Sequence, residues 1–188
     1  MKKIFYMDTE TTGLDPKLND VIQLAYLIEI DGEIKEEGNL FVQPFSYENI
    51  SLEALEVNKR TIEEIKTYPT PIDVYKHLHS ILNKYINRYN KFDKFIPCGY
   101  NVRFDIDFLQ SFFLKNNDKW FGAFFDYHFI DPMPIINVLN YKGSINLVNA
   151  KLITACENFG IKIDAHDALS DIKAARELMQ RIMKEYLK

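Results

Sequence analysis

Apolar residues run through Ile4-Phe5-Tyr6-Met7 and, after a polar stretch, through most of residues 21–30. Runs this short, rich in β-branched and aromatic residues, predict strands. Asp31-Gly32 then supplies a hairpin turn, and Gly38-Asn39-Leu40-Phe41-Val42 returns antiparallel until Pro44. Within 51–66, Ser51-Leu52-Glu53-Ala54 and Thr61-Ile62-Glu63-Glu64 each resemble the capped start of a short helix. Pro69 and Pro71 break the chain before a helix expected over about 72–89. Residues 95–99 read as another short strand. From Asp105 onward, Phe108, Leu109, Phe112 and Phe113 recur at helical spacing and form one buried stripe. Ile130-Asp131 is expected as a short strand, and 147–159 as a helix closed by Gly160. In the last segment Asp171, Ala175, Leu178 and Ile182 share one helical face. Three β elements, two of them a hairpin, precede alternating helices and short strands. The pattern predicts an α/β protein with a mixed central sheet flanked by helices.

At 188 residues the chain is most simply one domain, spanning 1–188. Its 47% apolar and 27% charged content is that of an ordinary soluble globular protein. No run approaches the ~18 apolar residues of a membrane span. The acidic end of the first strand comes too early for a signal peptide, so a cytoplasmic location is expected. Cys98 and Cys156 are far apart and lack metal-ligand spacing, which predicts two buried free thiols in a reducing compartment.

The chemistry begins where the first strand ends, at Asp8-Thr9-Glu10-Thr11-Thr12-Gly13-Leu14. Side chains alternate along a strand, so Asp8 and Glu10 lie on one face. Two carboxylates that close repel, and a divalent cation is the usual remedy. A bare Asp-x-Glu is more simply a solvated strand end; the seven-residue string is more specific. Tyr100-Asn101-Val102-Arg103-Phe104-Asp105 follows the 95–99 strand. There Asp105 is in register with the apolar stripe, gains from the helix dipole and still faces inward. Asp171 sits in the apolar stripe of the last helix, where an acid is costly unless a cation or donor meets it. His166 lies five residues before it.

Together these segments resemble the DEDDh, or DnaQ-like, 3′–5′ exonucleases, the family of the proofreading epsilon subunit of DNA polymerase III. All three motifs occur in order, and the resemblance runs over nearly the whole chain. It implies the ribonuclease H-like fold and two Mg²⁺ or Mn²⁺ ions, ~3.5–4 Å apart, clamping the attacking and leaving oxygens. By that analogy Asp8 bridges the ions, Glu10 and Asp171 hold the one carrying the attacking water, and Asp105 supports the other. His166 takes the water's proton. Thr11, Thr12, Leu14, Asn101 and Phe104 are the implied substrate contacts. The expected reaction is hydrolysis at a free 3′ end, single-stranded DNA favoured, releasing nucleoside 5′-monophosphates in proofreading or repair. An RNA-trimming exoribonuclease and an inactive polymerase-accessory module are the alternatives.

Three positions depart from the family's usual residues: Tyr100, Gln23 and Asp131-Pro132. The chain also ends on its last helix, without the tail by which epsilon-like subunits tether a polymerase. An exonuclease acting alone, or binding a polymerase through its globular surface, is therefore expected. The net charge of −4 looks wrong for a nucleic-acid enzyme, but 27 acids less the four proposed ligands leave 23, against 23 Lys plus Arg. Basic residues gather mid-chain, at Lys76, Lys84, Arg88, Lys91, Lys94, Arg103, Lys115 and Lys119. They are expected to form a basic rim near the second motif that guides a phosphate backbone, unless they are simply solvated.

Overall fold

Strands β1 (Lys3–Thr11), β2 (Val21–Ile30) and β3 (Glu33–Phe41) form an antiparallel meander, and β4 (Ile96–Cys98) lies parallel to β1, giving the order β3-β2-β1-β4. These positions come from a computed structural model, which describes residues 2–163 and 167–186. The β2–β3 turn has Asp31 and Gly32 at φ 50° and 89°, the left-handed pair that a two-residue hairpin requires. Between β3 and β4 the chain passes through α1 (Leu52–Val57), α2 (Ile62–Ile65) and α3 (Pro71–Tyr85). Ser51 and Thr61 cap the two short helices as expected, accepting from the amides of Ala54 and Glu64. After β4 come α4 (Val102–Lys115), a 3₁₀ turn (Phe121–Ala123), α5 (Pro132–Tyr141), α6 (Leu152–Asn158) and α7 (Ala168–Tyr186).

The sheet is covered on both faces. Phe5 and Met7 of β1, with their cross-strand partners Ile28 and Tyr26, pack against Leu78 and Leu82 of α3 and Phe108 and Phe113 of α4. On the opposite face Tyr6, Ala25 and Leu27 meet Ala168 and Ile172 of α7. Behind α7, Leu178 and Ile182 close a second core with Ile136 of α5 and Cys156 of α6. Phe5, Phe95, Phe108, Phe113, Phe124 and Phe125 are all fully buried, each contributing roughly 1.5–3 kcal/mol of transfer free energy. Cys98 and Cys156 are buried and free. Among the described residues no helix is long and apolar enough to cross a membrane.

Several expected elements come out shorter. The helix predicted over 72–89 stops at Tyr85, where Ile86 turns extended and is buried. The strand expected at Ile130-Asp131 is a single parallel bridge from Ile130 to Cys98. The helix predicted from 147 begins only at Leu152. Asn140 exchanges hydrogen bonds with the amide and carbonyl of Leu147, and Asn149 accepts from the Lys151 amide and the Thr154 hydroxyl. These local side-chain bonds compete with helix formation. Helix α5 has no counterpart in the sequence reading. Its Pro132 and Pro134 look like breakers, yet in a first turn the missing amide costs nothing and Asp131 caps the end.

Candidate active site

The end of β1 presents alternate side chains to the two helical layers. Asp8 and Glu10 share the face that Tyr6 packs on α7, whereas Thr9 points to α4. Asp105 comes to Thr9 from the first turn of α4, accepting at Oδ1 from the Thr9 amide at 2.8 Å and the Thr9 hydroxyl at 2.7 Å. Two backbone features bring it there. Gly99 leaves β4 so close to β1 that a Cβ would sit 2.6 Å from the Met7 carbonyl. Asn101 then adopts the left-handed conformation, φ 59°, that turns the chain into the helix. Its amide donates to Asp131 Oδ1 at 3.1 Å, the same oxygen that caps α5. Asp107, two residues beyond Asp105, instead pairs outward with Arg103 at 2.7 Å. Asp171 lies half-buried in the first turn of α7, its amide bonded to the Asp167 carbonyl.

The four carboxylates feel one another. Burial, and then the neighbouring charges of Asp105, Glu10 and Asp171, hold Asp8 well above the usual carboxylate range. Burial and Asp171 push Glu10 up to about 7, against the opposing charge of Arg60. Burial raises Asp105 to about 7 although the two hydrogen bonds from Thr9 oppose it. Such a set gains from a cation, and its donors are all hard oxygens, which fits Mg²⁺ or Mn²⁺. Among the described residues no three Asp, Glu, His or Cys side chains already close around a common point. His166 lies outside the described residues.

Beside Glu10 opens a cavity of about 600 Å³, within the range of small-ligand sites. Thr11, Leu14 and Phe104 line it, joined by Ala54, Val57 and Asn58 from α1 and its C-terminal end. Leu14 stands 84% exposed at the rim. Thr12 and Asn101 do not line it. Thr12 is buried, its hydroxyl accepting from the Asp20 amide at 2.9 Å and its own amide donating to the Asp20 carbonyl at 2.8 Å. It shapes the loop, as does Gly13, where a Cβ would collide with Asn19. The α1 wall had no signal in the sequence beyond its helix caps. It is tied to the motif loop at both ends, by the Ser51 amide on the Thr12 carbonyl and Asn58 Nδ2 on the Thr11 carbonyl.

The three positions that depart from the family pattern are all accounted for. Gln23 lies directly across from Glu10, buried, with Nε2 donating to Asn39 and Oε1 accepting from Arg60 at 3.4 Å. The Tyr100 hydroxyl donates to the Ala150 carbonyl at 2.7 Å. Asp131 serves the Asn101 amide and the start of α5.

Comparison with known proteins places this arrangement. The exonuclease family (RNase_T) matches residues 5–179. A DNA polymerase III PolC-type of Halalkalibacterium halodurans is 26% identical over 181 residues, 95% of this chain and 11% of that protein. The PolC-type of Thermotoga petrophila is 21% identical over 178 residues, 94% of this chain and 12% of that protein. The chain thus spans about a tenth of the length of these relatives. E. coli exonuclease I in complex with a dT13 oligonucleotide superposes with a TM-score of 0.80 at 18% identity, over 97% of this chain and 41% of that one. Its zinc-bound complex with single-stranded DNA gives 0.81 at 18% identity, over 100% of this chain and 42% of that one.

Proposed function

The chain belongs to the exonuclease family, with the ribonuclease H-like fold, and from that premise we propose that it removes nucleotides from the 3′ end of single-stranded DNA. The observation that carries this reading is the convergence of Asp8, Glu10, Asp105 and Asp171, drawn from three separate segments, beside a cavity of mononucleotide size. An inactive accessory module would have no use for four carboxylates held against their own repulsion.

Asp8, Glu10, Asp105 and Asp171 would hold two Mg²⁺ or Mn²⁺ ions, which supply charge stabilisation to the scissile phosphate and acidify the attacking water. Thr9 holds Asp105 by two donors on one oxygen, leaving Oδ2 for coordination. Phe104 and Leu14 flank the cavity with apolar surface on which a terminal base can rest, and Thr11 lines it from the strand end. His166 receives the proton of the attacking water; its ordinary pKa of about 6.5 suits a general base near neutral pH. The 3′ oxygen of the penultimate nucleotide leaves, and the product is a nucleoside 5′-monophosphate.

The choice of DNA is supported by the oligonucleotide complexes of exonuclease I and by the PolC-type relatives. Those relatives also suggest work beside a DNA polymerase, in proofreading or repair. Digestion of 3′-labelled single-stranded DNA and RNA, side by side in Mg²⁺, tests the reading. Labelled deoxynucleoside 5′-monophosphate should appear first. Faster release from RNA points to an exoribonuclease, and release from neither removes the exonuclease reading altogether.

A further inference from the structure

Of the eight mid-chain basic residues, four are committed elsewhere or stand apart. Lys84 pairs with Glu36, Arg103 with Asp107 and Lys115 with Asp20, while Lys76 lies exposed on α3. The other four, Arg88, Lys91, Lys94 and Lys119, converge on one cleft of about 270 Å³ that also contains Tyr89 and Trp120. They do not rim the second motif, as the sequence suggested. The cleft forms because Phe95 and Phe125 bridge in parallel, with the Phe95 amide on the Phe124 carbonyl and the Asp126 amide on the Phe95 carbonyl. That bridge lays the 86–95 loop beside the 119–125 segment.

The cleft's composition is unusual for a solvated surface. Its Tyr89 and Trp120 are 93% and 67% exposed, and Phe92 on the same loop is 85% exposed, although large aromatics normally bury most of their area. Among the described residues no carboxylate lies within ion-pair distance of Lys91, Lys94 or Lys119. The nearby acids are engaged, Asp93 with Lys3 and Asp126 with His128. Arg88 is held in place between His79 at 3.0 Å and the Phe124 ring at 5.3 Å. Lys91 lies over the Phe92 ring at 4.9 Å. Exposed rings interleaved with cations that no carboxylate holds in an ion pair are what a single-stranded nucleic acid needs: a face for each base and a charge for each phosphate.

We propose that this cleft is a second binding site for single-stranded nucleic acid, which holds the body of the substrate while its 3′ end is at the carboxylates. The proposal rests on the nuclease reading above. The two sites lie at opposite ends of β1. Lys3, the first residue of that strand, ties down the end of α3 at the Tyr85 carbonyl, 2.6 Å, and the 86–95 loop at Asp93, 2.5 Å. Glu10 is seven residues further along, roughly 23 Å at 3.3 Å per residue. A strand stacked at 3.4 Å per base needs about seven nucleotides to span that distance. A trinucleotide reaches one site only.

Trp120 is the only tryptophan in the chain, so its fluorescence reports on this cleft directly. Titration of the intact protein in EDTA, where no hydrolysis occurs, should show quenching by a dT30 oligonucleotide that weakens steeply with salt. Heparin, a polyanion without bases, should quench far less. Equal quenching by heparin overturns base stacking in the cleft, and no quenching by dT30 overturns the site. A response to phosphatidylserine vesicles but not to dT30 assigns the cleft to a membrane surface instead. Kinetics supply the second measurement. In Lys91→Glu/Lys119→Glu the KM for dT30 should rise about tenfold or more, with turnover of a trinucleotide unchanged. Equal loss on both substrates, or on neither, overturns the proposal. Quenching without digestion by the wild-type protein supports the cleft and removes the nuclease reading.

Discussion

Asp105 Oδ1 accepts both the amide and the hydroxyl of Thr9, at 2.8 and 2.7 Å, so that one oxygen of the second motif is fixed to the strand that carries the first. The geometry separates charge from shape. Asp105→Asn keeps an acceptor for both donors but removes the negative charge. It should melt no lower than the wild type and lose at least about 10³ in turnover. Asp105→Ala strands two buried donors, at about 1–3 kcal/mol, and should melt lower as well. Asp107→Ala removes only the outward pair with Arg103 and should lose less than about tenfold. Equal losses at 105 and 107, measured on 3′-labelled DNA, would contradict the assignment.

Activity should vanish in chelator and return with Mg²⁺ or Mn²⁺ but not with Ca²⁺, which the carboxylates can also bind but whose larger and looser coordination does not suit the reaction. Full digestion in excess EDTA would sink the metal-dependent mechanism.

Stability in chelator should depend on pH in an unusual direction. Glu10 and Asp105 are each raised to about 7 in the fold, above the values near 4 expected of the unfolded chain. Between those limits the folded state binds more protons, so stability is greatest on the acid side and falls as pH rises towards 7. Melting curves in EDTA should therefore shift down from about pH 5 to pH 8. Saturating Mn²⁺ should reverse the trend, because the ion displaces the same protons. A flat profile in EDTA would mean that the carboxylates do not strain the apoprotein.

His166→Ala should keep the fold and the stabilisation by Mn²⁺, since no ligand is lost, and reduce the rate by about 10²–10⁴. In the wild type the rate should rise through about pH 6 to 8, and the variant should flatten it. Wild-type turnover by the variant at pH 7 would remove His166 from the mechanism.

How much of this was legible in the sequence follows from the range of each signal. The strand and hairpin patterns are local: β1 and β2 appear where the apolar runs put them, whereas β3 starts at Glu33, directly after the Asp31-Gly32 turn and five residues before the Gly38–Val42 segment expected to form it. The inward register of Asp105 was readable from Phe108 and Leu109, and Asp105 is indeed buried while Asp107 pairs outward. What failed depends on contacts distant in sequence or on competing local bonds. Nothing near Val57 or Asn58 says that α1 will fold against the Thr11 carbonyl 47 residues away. Asn140 and Asn149 took over backbone groups that the apolar spacing after Leu147 had assigned to a helix. The basic residues were visible as a mid-chain cluster, but only the Phe95–Phe125 bridge determines which of them share a surface.

The sheet has one edge covered and one open. Beside β4, the Phe95–Phe125 and Cys98–Ile130 bridges occupy the outer row of backbone groups, whereas among the described residues β3 has no strand neighbour on its far side. A long open edge invites strand addition from another molecule. Here it carries Glu33, Lys35, Glu36 and Glu37 in a nine-residue strand. Pairing of two antiparallel β3 edges would bring like carboxylates close together and disturb the links from Glu36 to Lys84 and from Glu37 to Lys173. The acidic residues of β3, part of the negative net charge, thus work against ordered aggregation, where a hydrophobic β3 would have offered a template for it.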